Sequence, residues 1–130
     1  MILLDSQVVI WLALTPERIS RAAAAAIQQA ASAGETPGIS VVTLYEVANA
    51  IRRRRIQPAM RPQAFLERIK SRFAAIPVSE AIAVRAAELA DPFHGDPMDR
   101  LITATAIIER RTLVTSDEKI RTAGVCKVLW

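Results

Sequence analysis

Five acidic residues stand where their side chains could meet: Asp5, Glu46, Asp96, Asp99 and Asp117. Asp5 ends the apolar run Met1–Leu4, and Glu46 lies one turn into a helical stretch that follows a second apolar run, Gly38–Val42. Asp96 and Asp99 open the apolar stretch Met98–Arg110, and Asp117 directly follows Thr112–Thr115. Three or four carboxylates brought to one edge repel, so at least one has to take up a proton. A divalent cation removes that penalty, and a hard, all-oxygen ligand set selects Mg2+ or Mn2+ rather than zinc. One His and one Cys leave a nitrogen- or sulfur-ligated site nearly excluded, and His94 would be the sole imidazole base for a nucleophilic hydrolase. The chemistry these residues support is metal-assisted hydrolysis. Bound cations lower the pKa of a water and offset the charge growing on a phosphoryl group.

For that to happen, the elements carrying the acids must share an edge. Met1–Leu4, Gly38–Val42, Thr112–Thr115 and Val125–Leu129 are short runs rich in Val, Ile and Leu, the mark of buried strands, and Ala75–Val78 is a fainter example. Helical spacing or composition covers Glu17–Ala33 (stopped by Gly34), Thr43–Arg54, Gln63–Phe73, Ser79–Leu89, Met98–Arg110 and Asp117–Ala123. Residues 91–97 form a loop dense in breakers. Strand and helix in alternation predict an α/β fold, a mostly parallel sheet with helices on both faces. In such sheets ligands gather beyond the carboxyl ends of the strands, where Asp5, Glu46 and Asp117 fall and which Asp99 can approach from its own helix.

Each acid also has a purely local explanation. Thr43-Leu-Tyr-Glu46 reads as a capping box, and Asp96-Pro-Met-Asp99 as a cap followed by a first-position Pro and a third-position acid. Asp5 and Asp117 stand where caps stand, and acids at helix starts gain about 0.3–1 kcal/mol from the helix dipole alone.

Length and composition bound the answer further. At 130 residues, 52% hydrophobic and 23% charged, the chain suits one domain over 1–130 with ample core. The net charge is +4, carried mostly by Arg, which favours an anionic partner such as nucleic acid. The lone Cys126 fits a reducing, cytoplasmic setting. The apolar stretch Val8–Leu14 is far shorter than the roughly 20 residues a membrane span needs, so no membrane association is expected.

The segments Met1-Ile-Leu-Leu-Asp5-Ser6, Val42-Thr-Leu-Tyr-Glu46-Val-Ala-Asn49, His94-Gly-Asp-Pro-Met-Asp99-Arg100-Leu-Ile-Thr-Ala-Thr-Ala106 and Leu113-Val-Thr-Ser-Asp117 together resemble the PIN-domain toxins of VapBC-type toxin–antitoxin modules. The match is collinear and spans essentially the whole chain. The resemblance implies a three-layer α/β/α sandwich and an Mg2+- or Mn2+-dependent endoribonuclease acting on RNA. It also implies a homodimer and a small cognate antitoxin. Carried over by position, the catalytic and metal-holding acids are Asp5, Glu46, Asp99 and Asp117, with Asp96 as an accessory acid or cap. Thr115 matches a small polar position near the metal centre, and Arg100 follows Asp99 as the motif expects. Met98 is a departure, since the family often carries another apolar or small residue there.

Other features carry two readings each. Arg52–Arg55 is either a solvated helix end or a phosphate contact beside the site. Arg100 either orients a site carboxylate or pairs structurally. His94 reads as a loop residue or a substrate contact. Ala22–Ala26 suits close packing of a helix, or an apolar groove for an antitoxin helix. Trp11 and Trp130 are core or dimer-interface candidates, and Cys126 a small core residue. The main rival to catalysis is a non-catalytic RNA- or protein-binding module on the same fold. A phosphoacceptor signalling domain fits poorly, because Asp5 is followed by Ser6 and no acid ends the Gly38–Val42 run.

Overall fold

A computed structural model describes residues 1–90, 93 and 95–130. In chain order the elements are β1 (Ile2–Leu4), α1 (Ser6–Leu14), a 3-10 turn (Pro16–Arg18), α2 (Arg21–Ser32), β2 (Gly38–Ser40), α3 (Val42–Arg52), α4 (Pro62–Arg72), β3 (Ala74–Ile76), α5 (Glu80–Glu88), α6 (Pro97–Ile108), β4 (Thr112–Val114), α7 (Glu118–Ala123) and β5 (Val128–Leu129). The five strands form one sheet in the order β3-β2-β1-β4-β5, every pairing parallel. The expected α/β architecture is therefore present.

Strand periodicity sorts the core into two layers. Leu4, Ile39 and Val114 point to one face, where they pack with Val9 of α1, Val47 of α3 and Ile69 of α4. Leu3 and Leu113 point to the other face, against Ile102 of α6 and Ile120 of α7. Both faces are covered, which is why the strands read as continuous apolar runs.

Several boundaries differ from those expected, for local reasons. The helix expected over Glu17–Ala33 is interrupted: Ile19 is extended and the Ser20 side chain accepts from the Ala23 N–H, restarting the helix as α2. Within α2 the alanine run is mostly exposed, with Ala23 alone of Ala22–Ala26 buried, so it forms no close-packed seam. Thr43 and Glu46 do not make a capping box. Val41 occupies the cap position of α3 without a side-chain cap, and the Thr43 hydroxyl turns to another helix.

The Arg run ends α3 as a solvated terminus. The Arg54 N–H donates to the Ile51 carbonyl and the Arg55 N–H to Ala50, with Arg54 at a φ of 59°. This is a Schellman-type closure that glycine usually supplies. The first strand order reversal falls between β1 and β4: β1 to β3 run outward one way, and the next crossover returns to the far side of β1. The carboxyl ends of those two strands frame the crevice where such sheets bind ligands.

Candidate active site

Four helices, α1, α3, α6 and α7, begin at that carboxyl edge, and each contributes at least one acid. Asp5 caps α1, its Oδ1 accepting from the Ser6 N–H at 2.8 Å. Asp117 caps α7, accepting from the N–H groups of Lys119 and Ile120. Asp96 caps α6, accepting from the N–H groups of Met98 and Asp99, with Pro97 at the first position. Asp99 then sits in the first turn of α6, and Glu46 just beyond the first turn of α3. The helix starts that favour carboxylates are what aim them at one place.

Asp5, Glu46, Asp99 and Asp117 line a single cavity of about 390 Å3. Ser6, Gln7 and Ser116 add polar atoms, Ile10, Ala50 and Ile56 give an apolar wall, and Arg55 supplies the cationic side. Of the four consecutive arginines only Arg55 lines the cavity; Arg52, Arg53 and Arg54 are exposed around the end of α3.

Two hydroxyl-bearing arms tighten the cluster. Thr115, fully buried, donates its hydroxyl to Asp5 Oδ2 at 2.7 Å and accepts the Asp117 N–H at 3.0 Å, tying the ends of β1 and β4 together. The structure thus places Thr115 between Asp5 and Asp117. Ser6 Oγ donates to Glu46 Oε1 at 2.7 Å and lies 2.9 Å from Thr43 Oγ1. Sequence reasoning passed over Ser6 and Thr43 as site residues. Their signal was the Thr-x-x-Glu spacing, which puts Thr43 and Glu46 on one helix face, together with a hydroxyl directly after Asp5.

Burial and mutual repulsion raise the carboxyl pKa values of Asp5, Glu46 and Asp99. Desolvation is the largest cause for Asp5, partly countered by the Thr115 and Ser6 bonds and reinforced by Asp117 and Asp96. Glu46 is raised by desolvation, with Asp5 and Asp96 adding to it against the Ser6 bond. Asp99 is pushed up to about 7, by desolvation first and then by Asp5, Asp96, Asp117 and Glu46. Asp96 acts on the cluster as an accessory charge while capping α6.

Arg100 makes contacts on the α5 side of its helix. Its guanidinium donates to the carbonyls of Ala86, Ala87 and Leu89 at the end of α5, and it is not among the described residues that line the cavity. His94 and positions 91 and 92 of the expected 91–97 loop lie outside the described residues. Trp11 and Trp130 pack against each other with centroids 5.7 Å apart and planes tilted by 45°, and Arg18 lies over Trp11. Cys126 is half-buried.

A parallel α/β/α sheet with four carboxylates at its topological switch defines a class of protein, and comparison with known families agrees. The pattern described as the PIN domain matches residues 2–125, and the chain belongs to that family. Within it, the chain is 34% identical over 120 residues to Ribonuclease VapC22 of Mycobacterium tuberculosis, covering 92% of this chain and 89% of that protein. Among solved structures it is similar to a toxin–antitoxin complex from Klebsiella pneumoniae, with 27% identity, a TM-score of 0.68, and 100% of this chain and 97% of that one covered. VapBC2 from Rickettsia felis, bound to a promoter DNA fragment, shares the fold at a TM-score of 0.74 and 21% identity, covering 99% and 98% of the two chains.

Proposed function

We propose that the chain is an endoribonuclease dependent on Mg2+ or Mn2+, the toxin of a toxin–antitoxin pair, hydrolysing RNA phosphodiester bonds with a metal-activated water. The observation that carries this reading is the convergence of four carboxylates, from four separate elements, on one cavity. Asp5, Glu46, Asp99 and Asp117 are the residues that would hold the cation, and they fit it. All are hard oxygen donors, and the raised pKa values of Asp5, Glu46 and Asp99 reflect desolvation first and then a mutual repulsion that a cation relieves. Among the described residues no group of three or more acidic, His or Cys side chains is arranged to hold an ion by itself. Mg2+ binds through one or two carboxylates and takes waters and phosphate oxygens for the rest.

When bound, the cation supplies a water of lowered pKa and offsets charge on the phosphoryl group. The chain's own residues do the positioning. Thr115 and the Ser6 N–H engage both oxygens of Asp5, while Ser6 Oγ engages one oxygen of Glu46. Asp99, with a pKa of about 7, holds a proton part of the time at neutral pH in the metal-free protein. Arg55 at the cavity wall and the +4 net charge favour a polyanionic substrate, in keeping with RNA.

The relatives' complexes with antitoxins support a protein partner of that kind. An apolar groove of about 420 Å3 between the end of α1 and α4, lined by Leu14, Met60, Phe65 and Ile69 and flanked by Arg68 and Arg72, suits an acidic amphipathic segment of such a partner. A second copy of the chain is the other proposed partner, supported by the family resemblance.

An RNA-cleavage assay with Mg2+, Mn2+ or EDTA tests the reading. Wild type should cut only with the cation, and Asp99→Asn should lose at least 100-fold in rate. Undiminished cleavage in EDTA or by the Asn variant would favour another mechanism, and binding without cleavage would favour a non-catalytic module.

A further inference from the structure

We infer that Ser6 and Thr43 form a serial hydroxyl relay that positions Glu46 for cation binding, with Ser6 as the hub joining Glu46 to Asp5. The inference rests on the metal-site reading above and goes beyond the acids themselves.

The proton count fixes the direction of the relay. A hydroxyl has one hydrogen to donate. Ser6 spends its own on Glu46 Oε1 at 2.7 Å, an acceptor that has none to give when ionised. The Ser6–Thr43 contact at 2.9 Å must then run from the Thr43 hydroxyl to Ser6 Oγ. Thr43 is fully buried and Ser6 nearly so, at 6% exposure, so water does not readily substitute for either partner. The same residue holds Asp5 through its backbone N–H at 2.8 Å. One residue of α1 therefore links two carboxylates that arise from different elements, the cap of α1 and helix α3.

The two acids are held differently. Both oxygens of Asp5 accept hydrogen bonds, from Ser6 N–H and from Thr115. Glu46 is held through Oε1, which fixes the carboxylate plane while Oε2 is not engaged by the relay. A long Glu side chain without that anchor samples several rotamers, and each cation-binding event has to order them again. Groups that orient a ligand in this way typically contribute 10–100-fold to metal affinity.

Thr43→Val tests the relay while keeping the side chain's shape, and Thr43→Ser keeps the hydroxyl while losing the methyl. Mn2+ affinity is read by electron paramagnetic resonance of the free ion, with melting temperature as a check that each variant is folded. Thr43→Val and Ser6→Ala should each weaken Mn2+ binding about 10-fold. The double variant should be no weaker than Ser6→Ala alone, because the two hydroxyls act in series. Thr43→Ser should bind within about twofold of wild type. Mn2+ binding by Thr43→Val equal to wild type, or fully additive losses in the double variant, overturns the relay and leaves the metal site standing. A wild-type protein that binds no Mn2+ overturns both.

Discussion

Near neutral pH the Asp99 carboxyl of the metal-free protein is poised between its two states, with a pKa of about 7 against an ordinary value of 3.8. Between roughly pH 4 and 7 the folded protein holds a proton that the unfolded chain has released, so this group makes stability fall as pH rises through that window. In EDTA the melting temperature should therefore drop by a few degrees from pH 5 to pH 8, about 1–2 kcal/mol. Asp99→Asn should flatten that slope. Adding Mn2+ should restore wild type at pH 8 and do little at pH 5, where protons compete with the cation. A slope that is unchanged in the Asn variant would assign it to other groups. At this scale the sequence was informative about residue type and incomplete about partners. The four acids were visible because their spacing matches strand ends and helix starts. The Ser6–Glu46 bond was not, because it joins residues from separate helices and no local pattern encodes it.

The elements turn capping into convergence. Asp117 accepts two N–H groups at the start of α7, a helix of only six residues. Its local and its site roles can be separated by two substitutions. Asp117→Asn keeps a capping oxygen and removes the charge, so it should cost only a few tenths of a kcal/mol of stability while impairing cleavage. Asp117→Ala removes the cap as well and should cost about 1 kcal/mol more. Urea unfolding of the two variants beside the cleavage assay checks this. Equal stabilities would mean that the cap contributes nothing. Most elements were legible from apolar runs and turn residues, and their ends shifted where a side chain chose a partner. Ser20 restarted a helix that composition alone ran through. Thr43, the natural cap by spacing, was drawn inward to Ser6, leaving Val41 to open α3 uncapped.

At the scale of the whole molecule, a sheet covered on both faces has two cores that share strands and little else. Val9 lies in one and Ile102 in the other. Val9→Ala should cost about 2 kcal/mol and Ile102→Val about 1 kcal/mol, and the double variant should lose their sum within about 0.5 kcal/mol. A clear departure in urea midpoints would show that the layers are coupled through the strands. The all-parallel sheet was readable from unbroken Val, Ile and Leu runs, but the order that places β4 beside β1 was not, since it depends on pairings far apart in the chain. The bond from Thr115 to Asp5 spans 110 residues of sequence. Contacts that close so long a loop form late, after local helices and nearer strands have condensed. A chain emerging from the ribosome therefore carries Asp5 and Glu46 long before Thr115 and Asp117 arrive to complete the cavity. The cavity therefore cannot hold its full set of carboxylates until synthesis has passed Asp117.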